Sequence, residues 1–542
     1  MAREENRPKS SPKAADGMAW GTHAPSPVTV GASTGRSFKS DTIPAEAVRR
    51  NTNVGRFWNP VAPAQVVVAS FWQRPADDGT EDNEPAVLAF CSGEAQLSLV
   101  DGIIRRPRVV PLTRLARLSR CSFLTFLLSA FSVGADAAPA ATMPTGRASI
   151  VDTASVRGKV MCGYQGWFRC PNDAASMGWI HWSRDPRQIA SNLLTFEMWP
   201  DMTDYSAAER YPAPGFTYPG GDQAELFSSD NARTVLRHFE WMRDYGIDGA
   251  WLQHFVVDLP GGPIAARYPS RLRVLNHVRA AALKTGRVWA LSYDIAGMPE
   301  AGVFDVLTSD WKKMVDEKVM EDARYLHQGG QPVVQIWGFY FQNGHNPMNS
   351  ELANRLIDFF RTPGRYAAFL IGGGDWNWRR NPDPAWQEFY RRFGAYCPWN
   401  VGNYVPDESG VKHAATYYWV EDQRECERLG MLWIPVVYAG FSWDNLQRQT
   451  PGTSLIPRRG GRFLWEQFHA LSKLGTDTVY VAMFDEVDEG TAIFKVTSSP
   501  PTQGHFVGFE GWPSDWYLRL VGDAARRLRD KQPVPLDIPF HP

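Results

Sequence analysis

From about residue 155 onward the sequence predicts an α/β fold, a (β/α)8 TIM barrel, preceded by a poorly structured N-terminal extension. Three observations carry that expectation. Short apolar runs alternate with amphipathic helical stretches, eight such runs occur in series, and each ends in aromatic or polar residues. Parallel neighbours need crossover helices, and eight strands close a sheet without leaving an edge.

Residues 1–108 are rich in Pro, Ala, Arg and Ser and lack sustained periodicity, which predicts little fixed structure or a mis-annotated extension. Residues 109–137 follow with several arginines, an apolar stretch from Cys121 to about Val133, and Ala135-Asp136-Ala137 as a small-residue cleavage pattern. This is the anatomy of a secretory signal peptide, and the apolar stretch is short of the about 20 residues of a membrane span. The expectation is a secreted or periplasmic protein that begins near Ala138, has no membrane anchor after processing, and is translated from a non-Met codon near Val109, Val110 or Leu112. No Met lies between Met18 and Met143.

The predicted barrel occupies 150–535. Its strands are expected at 160–167, 246–255, 287–295, 332–340, 367–375, 398–404, 432–440 and 477–486. Helical patterns lie between them, as in "NARTVLRHFEWMRDYG", where Val235, Leu236, Phe239 and Met242 share a face and Gly246 sits where a C-cap needs φ > 0. "WYLRLVGDAARRLRD" supplies the last helix. A ninth apolar run, "NLLTFEMWPDM" (192–202), has no helix of its own and is placed in an insertion after the first strand, where it could wall a site. Cys162, Cys170, Cys397 and Cys426 follow the cleavage pattern; an export route permits disulfides, and Cys162 with Cys170 could close a short loop.

With 57 basic and 58 acidic residues, formal net charge -1, the chain has no excess of positive charge for a polyanion, so nucleic acid is not an expected partner. No cofactor motif appears, no zinc-ligand spacing occurs among the cysteines, and nothing fixes an oligomeric state. The 22 tryptophans serve either as core filler or as stacking faces for sugar rings.

In such barrels the loops after the strands form the active face, so polar groups there are the candidates. Tyr164, Gln165 and Trp167 end the first strand, Gln253 and His254 the second, Tyr293 and Asp294 the third, Trp337 and Tyr340 the fourth. Asp375 and Trp376 end the fifth, Asn403 and Tyr404 the sixth, and Ser442 with Trp443 follows the seventh. The eighth closes in "FDEVDEG", four carboxylates in five positions. Aromatic platforms among amides and carboxylates suit a carbohydrate partner. Glycosidic bonds are cleaved by paired carboxyl groups, and Glu486 and Glu489 are the expected catalytic pair. Asp485 and Asp488 fit strand-end acceptors or caps better, His254 fits a core histidine as well as a sugar contact, and Asp294 fits a hydroxyl binder.

The run "YVAMFDEVDEGTAIFK" resembles the last-strand motif of the endo-α-mannosidase-like glycoside hydrolases, where Asn-Glu-Trp-His-Glu-Gly-Thr carries both catalytic glutamates. With "MCGYQGWFRC" and "VVYAGFSWDNL", residues 155 to 535 look like the glycoside hydrolase family 71/99-like proteins, some labelled xylosidase/arabinosidase. The resemblance implies a glycosidase with Glu486 as general base and Glu489 as acid/base. It implies retention, through attack of the sugar's own 2-hydroxyl and an epoxide-like intermediate. Asp485, Val487 and Asp488 stand where the motif has Asn, Trp and His. The readings that compete with it are a barrel that binds glycan without cleaving it and an inverting α-glucanase of the family 71 type.

Overall fold

A computed structural model describes residues 149–339 and 348–541. The expected extension, the signal-like segment and Tyr340 lie outside the described residues. No described helix is long and apolar enough to cross a membrane.

Nine parallel strand segments form the central sheet among the described residues: β1 Val160–Tyr164, β2 Gly249–Phe255, β3 Val288–Asp294, β4 Gln331–Phe339, β5 Phe369–Gly374, β6 Ala395–Pro398, β7 Leu432–Trp433, β8 Val436–Tyr438 and β9 Val479–Ala482. Their order is β7-β6-β5-β4-β3-β2-β1-β9-β8. The two ends of that order belong to one apolar run, "LWIPVVY", interrupted where Pro435 has no N–H to give. Ile434 N still donates to Tyr396 O on β6 at 3.0 Å, and Pro435 O accepts from Tyr480 N on β9 at 3.0 Å. One broken stave therefore joins both edges, and the sheet is a closed barrel of eight staves.

Helices α1 Ala232–Asp244, α2 Tyr268–Thr285, α3 Glu300–Asp316, α4 Ser350–Arg361, α5 Pro384–Tyr390, α6 Trp419–Leu429, α7 Arg462–Lys473 and α8 Trp516–Arg529 follow the staves in turn. In α1 the Asn231 side chain caps the Arg233 N–H, Val235, Phe239 and Met242 are buried, and Gly246 takes φ +75.

Inside the ring the alternation of strand residues selects what faces the lumen. Trp251 stacks on Tyr480 with centroids 6.2 Å apart, Trp399 meets Tyr480 edge-on at 5.6 Å, and Trp337 meets Trp399 at 5.5 Å. Gln253 Nε2 donates to Tyr480 Oη at 3.0 Å and Ser292 Oγ to Gln335 Oε1 at 3.0 Å. The lumen below the mouth is a packed floor.

Three expectations need correction. The sixth stave lies at Ala395–Pro398 and not at 398–404, because Pro398 ends the ladder and Gly402 turns the chain at φ +85. Asn403 and Tyr404 consequently lie beyond the ring, Tyr404 in a small hairpin of Tyr404–Pro406 with Lys412–Ala414. All four cysteines after the cleavage pattern are buried free thiols, Cys162 and Cys170 included. The run 192–202 does lie in the insertion, where Glu197 N donates to Val487 O at 3.1 Å and Val507 N to Glu197 O at 2.7 Å. It backs the acidic turn.

The staves also pack too closely for side chains at some points. A Cβ at Gly249 would fall on the backbone carbonyl of Val288 in the neighbouring stave. Gly249→Ala is expected to cost about 3 kcal/mol, the upper part of the range for overpacking. Urea denaturation measures it, and an unchanged midpoint would contradict the β2–β3 register.

Candidate active site

The acidic turn is held on three sides. Phe484 N donates to Gly163 O at 2.8 Å and so continues the β9–β1 pairing past the ring. The chain then doubles back, with Ala492 N on Glu486 O at 2.9 Å and Phe494 N on Phe484 O at 3.1 Å. Arg458, buried and lying over the rings of Tyr517 and Phe509, donates to the carbonyls of Gly490 and Ala492 at 2.7 and 2.8 Å.

Asp485 binds this turn to the first stave. Its Oδ1 accepts from Gln165 N at 2.8 Å and its Oδ2 from Gly166 N at 2.9 Å. Gly166 makes the bend possible at φ +56, which a side chain would resist. From the other side Arg271 donates to Gln165 O at 3.1 Å and Arg169 to Gly166 O at 3.0 Å, while Arg271 also pairs with Asp258 at 2.7 Å. The Gln165–Gly166 peptide is thus fixed at both its donors and its acceptors.

That fixation aims the Gln165 side chain. Its Nε2 donates to Glu486 Oε1 at 2.6 Å, and Thr491 Oγ1 donates to Glu486 Oε2 at 3.1 Å. Glu489 has neither support: both carboxyl oxygens are buried and lack a hydrogen-bond partner among the described residues. Asp294, at the end of β3, accepts from Ala296 N with Oδ1 at 2.8 Å, and its Oδ2 is buried without a partner among the described residues. Asp488 Oδ2 lies 3.3 Å from His181 Nδ1, and the His181 ring stacks on Trp167 with centroids 3.9 Å apart.

Glu486 and Glu489 are each 1% exposed, so the charged forms have lost their water. Burial raises Glu486 well above the ordinary carboxyl range, with further upward pushes from Glu489 and Asp488. Burial does the same for Glu489, helped by Asp488 and Asp294, and for Asp488, helped by Asp485. Burial lifts Asp294 to about 7 and Asp485 to about 6, in the latter case against its two backbone N–H donors. Five carboxyl groups therefore share one electrostatic neighbourhood.

Of the residues expected at the mouth, the structure brings together Gln165, Trp167, Asp294, Glu486 and Glu489. Trp337 forms part of the lumen floor. Tyr164, His254 and Tyr293 point the other way, into the layer between staves and helices. Tyr164 bonds His238 of α1 at 2.9 Å, and His254 and Tyr293 both bond Asp310 of α3, at 3.1 and 2.7 Å. Asp375 is used by its own turn, accepting from Asn377 N and Asn381 Nδ2. Trp376 leans on Tyr418 and Trp443 on Phe441, while Tyr404 is exposed under Lys412.

His181, Arg271 and Thr491 belong to the site and carry no signal in strand-end reasoning. His181 comes from the aperiodic insertion and Arg271 from the first turn of α2. Thr491 alone was visible, as the threonine after Glu-Gly in the motif. Among the described residues no group of His, Cys, Asp and Glu is arranged to hold a metal ion.

Two solved structures of the family 99 endo-α-mannosidase from Bacteroides thetaiotaomicron share this fold. The one with bis-tris propane bound has a TM-score of 0.51 and 12% identity, covering 70% of this chain and 99% of its own. The second also has a TM-score of 0.51 and 12% identity, covering 69% and 98%. The fold that the sequence resemblance implied is therefore the one found, a (β/α)8 barrel similar to that of these two structures. No protein-family model matches the chain, and no curated protein matches it.

The raised carboxyl groups make stability pH-dependent. A carboxyl whose folded pKa lies above its unfolded value stabilises the fold fully below the unfolded value, and that contribution is lost as pH rises through the folded one. For Asp485 and Asp294 the window runs from the ordinary aspartate range up to about 6 and about 7. Melting temperature is expected to fall between about pH 4 and 7, and Asp294→Asn to flatten the fall by up to about 1.4 kcal/mol per pH unit. A wild-type protein that grows more stable across that window would contradict the assignment.

Proposed function

We propose that the protein is a glycoside hydrolase acting on an oligosaccharide or polysaccharide, with Glu489 as proton donor and Glu486 as base. The observation that carries this reading is the unequal environment of two glutamates on one turn. Both are buried, but only Glu486 has donors for its charge, the Gln165 amide and the Thr491 hydroxyl. Glu489 has none among the described residues and faces Asp488 and Asp294. At neutral pH the proton belongs on Glu489 and the charge on Glu486, the division of labour that glycoside cleavage needs.

In the reaction the C1–O bond breaks as the leaving oxygen takes the Glu489 proton. The attacking oxygen adds to C1 and gives its proton to Glu486. If that oxygen is water, the anomeric centre inverts; if it is the sugar's own 2-hydroxyl, an epoxide-like intermediate forms and water opens it with net retention. The similar folds belong to enzymes that cleave mannosides, which supports a carbohydrate substrate for this chain.

Glu489→Gln and Glu486→Gln are each expected to lower kcat/KM by about 100-fold or more on whichever member of a broad glycan panel releases reducing ends. Binding of glycan by the wild type with no release across the panel would instead make the barrel a binding protein. Gln165→Ala removes the amide that favours the Glu486 carboxylate. It should move the acid limb of the pH profile up by about 1 to 2 units, the equivalent of one charge-assisted hydrogen bond. NMR of the first-formed anomer separates the two attacking oxygens. Export belongs to the same reading, and N-terminal sequencing of secreted protein should begin near Ala138; a start far upstream would remove it.

A further inference from the structure

His181 reaches the acidic turn from the insertion between β1 and α1, and its placement is built. Its backbone sits at φ +63, a conformation few non-glycine residues adopt. Thr195 Oγ1 donates to its carbonyl at 2.7 Å, and its ring lies flat on Trp167, 7° from parallel, with Phe168 edge-on at 6.1 Å. Nδ1 then lies 3.3 Å from Asp488 Oδ2. Side chains from the start and the middle of the insertion cooperate to present one imidazole to one carboxyl.

Asp488 is the group through which that imidazole can act on the rest of the mouth. Glu489 is faced by Asp488 from its own turn and by Asp294 from β3. Glu486 is faced by Glu489, Asp488, Asp485 and the Thr491 hydroxyl, besides the Gln165 amide. The guanidinium on this side, Arg271 of α2, faces Asp294 and Asp485. Among the described residues Asp488 is thus the one carboxyl outside the proposed pair that bears on both glutamates and lies beside an imidazole. The motif that this turn resembles carries a histidine in the turn itself; here the turn carries Asp488 and the histidine arrives from the insertion.

Resting on the hydrolase reading, we propose that His181 is a positioning residue acting through Asp488: the imidazole holds Asp488 as a carboxylate, and that negative charge keeps the proton on Glu489. The imidazole stays neutral and donates its Nδ1–H to Oδ2, so the proton that buried Asp488 would otherwise take goes to solvent and the pair carries one net negative charge. Without the imidazole, Asp488 is neutralised, the like charge beside Glu489 disappears, and Glu489 releases its proton at lower pH.

The test is the titration of the Glu489 carboxyl carbon, followed by 13C NMR in protein labelled at glutamate Cδ, with the signal assigned by its loss in Glu489→Gln. His181→Gln and Asp488→Asn should each lower the Glu489 midpoint by about one pH unit, and the double variant should lower it no further. The alkaline limb of kcat/KM should move down with it. A structural role alone would lower the melting temperature and leave the midpoint in place. An unmoved midpoint in His181→Gln, or shifts that add in the double variant, overturns the proposal; if His181→Gln does not fold, an unmoved midpoint in Asp488→Asn does so. A protein that shifts its midpoint as stated but cleaves no glycan sinks the hydrolase reading and leaves the pair.

Discussion

The mouth of this barrel depends on one carboxylate gripping two consecutive backbone N–H groups. Asp485 leaves the last stave and binds the Gln165–Gly166 peptide beyond the first, so the seam between β9 and β1 is fixed above the ladder as well as within it. Two consequences follow from the same bonds. The Gln165 amide is turned toward Glu486, and Trp167, two residues on, is set where it can stack on His181. Arg271 and Arg169 complete the grip from the carbonyl side, which keeps the peptide from rotating to relieve either contact. Burial still lifts Asp485 to about 6, so the grip costs solvation that its two N–H donors offset only in part.

Placed on that frame, the acidic turn is an arrangement of protons as much as of charges. Two carboxylates about 4 Å apart repel by roughly 4 kcal/mol at an effective dielectric of 20, so a buried group of five cannot all ionise near neutrality. Which of them do is decided by local donors. Asp485 has two peptides, Glu486 an amide and a hydroxyl, and Glu489 nothing among the described residues. The insertion makes the separation sharper by backing the turn: Glu197 N on Val487 O ties its apolar run, with Phe196, Met198 and Trp199 buried, directly behind the carboxyl groups. The same water exclusion that raises every carboxyl here strengthens every hydrogen bond that discriminates between them.

The barrel was legible in the sequence because its signal is periodic. Stave and helix patterns alternate from 160 to 529, and only the sixth stave slipped, where Pro398 and Gly402 stop a ladder that composition alone would prolong. The site was legible in part. Glu486, Glu489, Gln165, Trp167 and Asp294, whose roles belong to the proposal, lie near one another beyond the strand ends. His254 and Tyr293 do not, although each neighbours a residue that faces the lumen. Side chains alternate along a strand, so of Gln253 and His254, or of Tyr293 and Asp294, one faces in and the other out. Register against the neighbouring staves decides which, and register is not written in one strand's own letters. His181 was illegible for a different reason: it lies in an aperiodic insertion at a left-handed turn, and only the folded chain brings it beside residues some 300 positions away.

This also explains why departures from a motif need not undo the chemistry proposed for it. The letters at 485, 487 and 488 differ from the motif that the turn resembles, yet the donors that set the two glutamates apart do not come from those letters. Glu486 takes its donors from Gln165 on the first stave and from Thr491 on the returning limb of the turn. Glu489 takes its like-charged neighbours from β3 and from Asp488. An aspartate at 485 can grip a peptide through two carboxylate oxygens, where an amide side chain has one acceptor and would have to turn its NH2 toward an N–H. Asp485 holds the peptide that aims the Gln165 amide at Glu486, so the reading rests on the environment of the pair more than on the spelling of the turn.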